Sequence, residues 1–187
     1  MTNIAILASH NGSGFQTLYD ASLDNILNLN IKLVISNNTN SGALKKAKKY
    51  NIDNYIVNAK TDPNVDEKIY SLLKENNCEY VFLSGYMKKI SPIITKNFKV
   101  INSHPSLLPK YGGAGMYGRF VHDAVVKNNE KISGVTVHEV NEKYDDGKII
   151  LQKQLTLADG ETPQTLEDKI KELEKSAIVE SFIKCLK

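Results

Sequence analysis

A chain of 187 residues, 41% hydrophobic and 24% charged, is long enough to bury a continuous core as one domain over residues 1–187, and its composition argues against disorder. Its net charge of +3 comes with lysines spread along the chain, which suits an anionic small molecule and lacks the dense basic stripe of a nucleic-acid binder. No apolar run approaches the roughly 20 residues of a membrane span, and Cys78 and Cys185 lack metal-ligand spacing and read as free thiols of a reducing compartment.

The N-terminus, MTNIAILAS, has no basic leader region and runs into a glycine turn. It reads as a first strand, residues 4–9, of a cytoplasmic protein rather than as a signal peptide. A helical pattern comes next over 16–29, then a strand over 31–36, a helix over 41–51 and a strand over 54–59. A helix over 66–76 and a strand over 79–85 succeed these. Ser91 and Pro92 open a short helix, with serine as cap and proline in the first turn. The next strand is KVINSH, residues 99–104. Such alternation marks βαβ units and a largely parallel sheet. The rhythm then changes: strands over 133–140 and 148–155 flank NEKYDDG, in which Asp146 and Gly147 have turn chemistry. The last helix starts at Thr162–Pro163, with Leu166, Ile170, Leu173, Ala177 and Ile178 at helical spacing. The expected fold class is α/β, a Rossmann-like open twisted sheet, mostly parallel with an antiparallel C-terminal strand pair and helices on both faces.

Three clusters could carry chemistry. In ASHNGSGFQ, residues 8–16, a small polar turn joins a strand to a helix, where free backbone N–H groups favour a phosphate. Gly12 and Gly14 admit close backbone approach, and Asn11 and Ser13 add donors; a plain tight turn and helix cap is the competing reading. In NSHPSLLP, Asn102 and His104 lie two residues apart at a strand end, on one side of it. Pro105 and Pro109 stiffen the loop beyond the histidine. Rigid placement of a proton donor and an amide fits stabilisation of an oxyanion, against the plain alternative of a structural histidine. In VHEVNEKYDDGKII, Asp145 and Asp146 sit at a turn. Asp146 beside Gly147 reads as solvated. Asp145 placed near His104 would raise the imidazole's pKa and keep it protonated near neutral pH. A metal held by His104, His138 and an aspartate is conceivable but has no close ligand spacing.

Taken together, NGSG, LSGYMKKISP, NSHPSLLPKYGG, GVTVHEVNEKYDDGKIILQ and LEDKIKELEK resemble the formyltransferase family that uses 10-formyltetrahydrofolate, over nearly the whole chain. The resemblance implies formyl transfer to the amine of glycinamide ribonucleotide in purine biosynthesis, with 10-formyltetrahydrofolate as co-substrate and no metal. Asn102, His104 and Asp145 match the family's catalytic asparagine, histidine and aspartate. Asn11, Gly12, Ser13 and Gly14 match its 5′-phosphate loop, and Lys171 and Glu174 match contacts to that phosphate and the ribose hydroxyls. Met87, Lys88, Lys89 and Ile90 match the wall of the folate pocket, to which Asn102, Val140 and Asp145 also belong; the loop from Glu139 to Asp145 matches the part that holds the pterin.

Some positions depart from the family's pattern. Gly14 stands where an asparagine is common, Lys88 where an arginine is common, AKTDPNVDEK is short and lacks a matching arginine, and KYGGAGMYGRF replaces a Pro-Gly-x-His stretch. Related chains that formylate methionyl-tRNA or hydrolyse formyltetrahydrofolate carry an extra domain, which this chain is expected to lack. A hydrolase-like enzyme and a non-catalytic folate- or nucleotide-binding module remain the alternatives. No nucleic acid or membrane partner is expected, and the assembly expected is a monomer or homodimer.

Overall fold

The computed structural model describes residues 1–186. The chain forms two compact units, Met1–Asn102 and Ser103–Cys185. In the first, β1 (Thr2–Leu7), α1 (Ser13–Leu23), β2 (Leu29–Ser36), α2 (Gly42–Lys49), β3 (Asp53–Ile56), α3 (Val65–Glu75), β4 (Tyr80–Leu83) and α4 (Pro92–Thr95) alternate and lead into β5 (Lys99–His104). β1 pairs in parallel with β2 and β4, β2 with β3, and β4 with β5. Ile4, Ala5, Ile6 and Leu7 of β1 are all buried, as are the four residues of β4. Strands covered on both faces read as unbroken apolar runs, which is why the sequence pattern finds them. Because β1 has β2 on one side and β4 on the other, strand order reverses there. Segments 11–14 and 87–90 follow the carboxyl ends of the two strands at this switch, where open α/β sheets bind ligands.

The second unit holds the end of β5, then α5 (Arg119–Lys127), β6 (Ile132–Glu139), β7 (Ile149–Thr156) and α6 (Pro163–Cys185). β6 and β7 pair antiparallel from Ile132–Thr156 to His138–Ile149, with a register slip between Val137 and His138. Across the sheet the order is β3-β2-β1-β4-β5-β6-β7, the mostly parallel arrangement with an antiparallel C-terminal pair that the sequence leads one to expect. At the start of α6, Thr162 accepts from the Thr165 N–H through Oγ1 while the Thr165 hydroxyl accepts from the Thr162 N–H. This reciprocal cap, with Pro163 in the first turn, opens a helix that buries Leu166, Ile170, Ala177, Ile178 and Phe182. Leu173, in the same apolar series, is only half-buried. Among the described residues no helix is long and apolar enough to cross a membrane.

The structure departs from the sequence pattern at three places. α1 stops at Leu23, not residue 29, although Leu27 and Leu29 continue the apolar series. Asn25 takes a left-handed backbone (φ 58); its N–H bonds to Ser22 O and the Ile26 N–H reaches back to Ala21 O at 2.9 Å. The same closure ends α2 at Asn51, α3 at Asn77 and α5 at Asn129, an asparagine each time supplying the conformation usual for glycine. β3 ends at Ile56 because the Asn58 side chain accepts from the Lys60 and Thr61 N–H groups and turns the chain. α5 is a helix that no sequence signal announces: Gly118 precedes it without a side-chain cap, and its apolar face is short, with Val121 and Val125 buried but Phe120 exposed. Asn77→Ala is expected to lower stability by about 1 kcal/mol, because alanine lacks the short polar side chain that lets asparagine take the left-handed backbone. A urea midpoint equal to wild type would contradict this account of the helix ends.

Candidate active site

β5 ends at His104, which is 4% exposed. The loop after it is anchored on the β6–β7 ribbon by side chains as well as stiffened by prolines. Thr136 Oγ1 accepts from the Leu108 N–H and donates to Ser106 O at 2.7 Å. The Gln152 amide donates to Leu108 O and to Thr136 Oγ1, both at 2.9 Å, and Ser106 Oγ donates to Lys110 O. The Leu108–Pro109 peptide is cis. This scaffold delivers the Tyr111 carbonyl to His104 Nε2 at 2.7 Å. A carbonyl only accepts, so Nε2 carries the proton and Nδ1 is left facing Asp145 Oδ2 at 3.6 Å.

Asp145 is reached from the other end of the ribbon. The connection between β6 and β7 is a loop over residues 140–148, longer than a two-residue hairpin. Asp145 itself adopts the left-handed backbone (φ 52), a conformation aspartate tolerates better than most residues. Gly147 serves for closeness: a Cβ there would overlap the Glu139 carbonyl, whose residue pairs through its N–H with Lys148 O at 2.9 Å. Asp145 Oδ2 accepts from the Gly113 N–H at 2.9 Å, and Oδ1 lies 3.6 Å from His138 Nε2. His138 Nδ1 donates to Glu139 O at 2.8 Å. One carboxylate therefore stands between two imidazoles. Each turns a nitrogen toward it that can donate only when the ring is charged, because the other nitrogen's proton is held by a backbone carbonyl. Separations of 3.6 Å are longer than formed hydrogen bonds and become ion pairs only when the rings are protonated.

Burial raises the Asp145 pKa, but the His138 and His104 rings and the Gly113 N–H together outweigh it and hold the carboxyl below its ordinary value. His104 goes against the expectation from sequence. Burial lowers its pKa more than Asp145 and the Tyr111 carbonyl raise it, with His138 lowering it further, so the ring sits below its ordinary value and rests neutral. The metal alternative also resolves differently. Its three side chains do converge, but as a carboxylate between two rings, and among the described residues no group of three His, Cys, Asp or Glu side chains is placed to hold a metal ion.

The remaining sequence-predicted residues divide between the units. Asn102 is half-buried on β5, two residues before His104, and Val140 is half-buried just after β6. On α6, Lys171 Nζ pairs with Glu167 Oε1 at 2.6 Å, and Glu174 Oε1 accepts from Ser103 Oγ at 2.7 Å. In the first unit Asn11 and Ser13 are exposed, Gly14 is buried in the first turn of α1, and Gly12 is left-handed (φ 61) with Ala43 Cβ 2.9 Å from where its own Cβ would lie. α1 begins without a side-chain cap or an acidic first turn; its Phe15 N–H donates to Ser84 Oγ. Met87, Lys88 and Lys89 are exposed and Ile90 is buried. This segment is tied to the turn through Ser9, whose Oγ accepts from the Met87 N–H at 2.7 Å and donates to Asn37 Oδ1 at 2.6 Å. Between residues 9–11 and 38–42 a polar cleft of about 470 Å³ opens.

Sequence reasoning passed over Thr136, Gln152 and Ser103, and weighed His138 only as a metal ligand. The available signal was Thr136 and His138 at alternate positions of an otherwise apolar strand, which strand geometry puts on one face.

Residues 2–182 match the family model described as formyl transferase. A chloroplastic phosphoribosylglycinamide formyltransferase of Arabidopsis thaliana is 31% identical over 183 residues, covering 95% of this chain and 63% of its own length. The phosphoribosylglycinamide formyltransferase of Haemophilus influenzae is 34% identical over 179 residues, covering 93% of this chain and 82% of its own. This chain thus spans less than two thirds of the plant relative's length. Among solved structures, phosphoribosylglycinamide formyltransferase from Bacillus halodurans superposes with a TM-score of 0.91 at 27% identity, covering 99% of this chain and 95% of that one. Glycinamide ribonucleotide transformylase 1 from Geobacillus kaustophilus does so at 0.90 and 26%, over 100% of both chains. A family match over nearly every residue, together with the histidine–aspartate pair at the ends of β5 and the β6–β7 loop, makes this chain a member of the formyl transferase family.

Proposed function

We propose that this chain transfers the formyl group of 10-formyltetrahydrofolate to the amine of 5′-phosphoribosylglycinamide, giving formylglycinamide ribonucleotide and tetrahydrofolate. It acts as one formyltransferase domain over residues 1–187, in the cytoplasm, as a monomer or homodimer. The observation that carries the reading is buried His104, two residues beyond Asn102 on β5, facing half-buried Asp145, with the His104 tautomer set by Tyr111.

The amine is already a competent nucleophile, so holding it in line with the formyl carbon contributes much of the acceleration, and neither metal nor covalent intermediate is required. Attack puts negative charge on the formyl oxygen, for which the Asn102 amide and the His104 Nε2–H are donors. That N–H is held in the free protein by the Tyr111 carbonyl, so engagement of the oxyanion replaces this bond. The proton lost by the attacking amine reaches, directly or through water, the Asp145 and His104 Nδ1 pair, where it is shared as charge grows on the oxygen, and it passes from that pair to the departing folate nitrogen. Asn11 to Gly14 and Lys171 hold the phosphate, Glu174 the ribose hydroxyls, and Met87 to Ile90 with Val140 the folate.

Incubation with both substrates tests the reading. Formylated ribonucleotide should appear in step with tetrahydrofolate. Formate release without ribonucleotide would identify a hydrolase instead, and binding without turnover a non-catalytic module.

A further inference from the structure

Ser103 lies between Asn102 and His104 on β5. Strand alternation turns its side chain away from theirs, and its Oγ donates to Glu174 Oε1 at 2.7 Å. Among the described residues this is the Glu174 carboxylate's only hydrogen-bond partner. The cation nearest on its own helix, Lys171, is held by Glu167 at 2.6 Å. Glu174 is thus a largely desolvated carboxylate that keeps one donor and no direct counter-ion.

We infer that Ser103 is a positioning residue for ribose recognition: its hydroxyl fixes one oxygen of Glu174 so that the ionised carboxylate presents its other oxygen to a vicinal diol. This rests on the assignment of Glu174 to the ribose hydroxyls in the proposed function. An ionised carboxylate accepts from two hydroxyls, whereas a protonated one spends an oxygen as a donor, so recognition depends on keeping the charge. Burial acts against the charge and raises the Glu174 pKa; the Ser103 hydrogen bond and then Lys171 act for it. Among the described residues Lys171 is the one charged group in that balance, and His122 of α5 faces Glu167 and Lys171 instead. The hydroxyl also fixes the carboxylate's rotation, which a longer-range charge such as Lys171 does not.

Steady-state kinetics from pH 6 to 9 with Ser103→Ala, Ser103→Thr and Glu174→Gln decide the matter. Ser103→Ala should raise KM for the ribonucleotide about 10-fold at neutral pH, the scale of a lost hydrogen bond to a charged group. It should leave KM for the folate unmoved. Its penalty should shrink as pH rises, because the acid limb of the KM profile moves upward when Glu174 loses its stabilising donor. Ser103→Thr, which keeps the hydroxyl, should restore wild-type behaviour, and should Ser103→Ala fold poorly, Ser103→Cys reads the same shift with a weaker donor. A wild-type ribonucleotide KM in Glu174→Gln would overturn the ribose assignment, and this inference with it. A raised KM in Glu174→Gln beside a wild-type KM and pH profile in Ser103→Ala would overturn the Ser103 inference alone.

Discussion

His104→Ala should lower kcat by about 100-fold or more, the scale of one lost oxyanion donor or general acid, and Asp145→Asn should do the same. The two changes should not add, because the side chains act as one unit. His104 can supply its Nε2–H only because the Tyr111 carbonyl holds the proton there, and the positive charge that develops on the ring is met by Asp145 at 3.6 Å. An amide at 145 leaves the shape but removes the charge. Near wild-type turnover in either variant, with folding intact by circular dichroism, would sink the assignment.

The same ring makes a pH signature. The folded-state pKa of His104 lies below its ordinary value because burial dominates, and that of His122 is lowered in the same way. A depressed histidine contributes stability that is present above its unfolded pKa of about 6.5 and is lost as pH falls through the folded value. Asp145, also depressed, adds a loss of the same sign at lower pH, within the carboxylate range. Urea titrations should therefore show stability falling below neutrality, and falling less steeply in His104→Ala.

Gly147→Ala should be the most damaging of the small substitutions, costing about 3 kcal/mol of stability and roughly 100-fold in kcat. The added methyl would overlap the Glu139 carbonyl, and the Glu139–Lys148 hydrogen bond leaves the two chains no room to part without breaking the ladder. Any widening displaces Asp145, two residues earlier, from both rings. Asp146→Ala is the matched control. Asp146 is 57% exposed and pairs only loosely with Lys143 at 3.9 Å, so its loss should fall within about 0.5 kcal/mol. A melting temperature and turnover for Gly147→Ala equal to those of the control would contradict this account of the loop.

The features that could be read from the sequence are those set by local forces. β1 and β4 are legible because strands buried on both faces must be apolar throughout. α1 is overextended because its apolar series runs past Asn25, and a single left-handed residue outweighs a pattern. α5 is invisible because glycines precede it and its largest apolar residue, Phe120, faces solvent. In the site, Asn102, His104 and Asp145 stand out through residue type and spacing, whereas Ser103 and His138 matter only through partners 71 and 7 residues away in sequence, Glu174 and Asp145. Gly147 is legible as a glycine position but for another reason: an Asp–Gly pair suggests a turn, and the Glu139 backbone supplies the real constraint. The direction of the His104 shift depends on depth of burial against the Asp145 carboxylate and the Tyr111 carbonyl, a competition no local pattern encodes.

Ser9 is 1% exposed, and each of its polar atoms is committed. Its N–H goes to Gly85 O, its carbonyl receives the Asn38 amide, and its hydroxyl joins the Met87 N–H to Asn37. The loops after β1, β2 and β4 are therefore one piece for purposes of exchange between relatives. Grafting residues 85–90 from another chain without residues 9 and 37 would strip the Met87 N–H of its acceptor, and a stranded donor of that kind costs about 1–3 kcal/mol. The rims of this switch point are inherited three loops at a time.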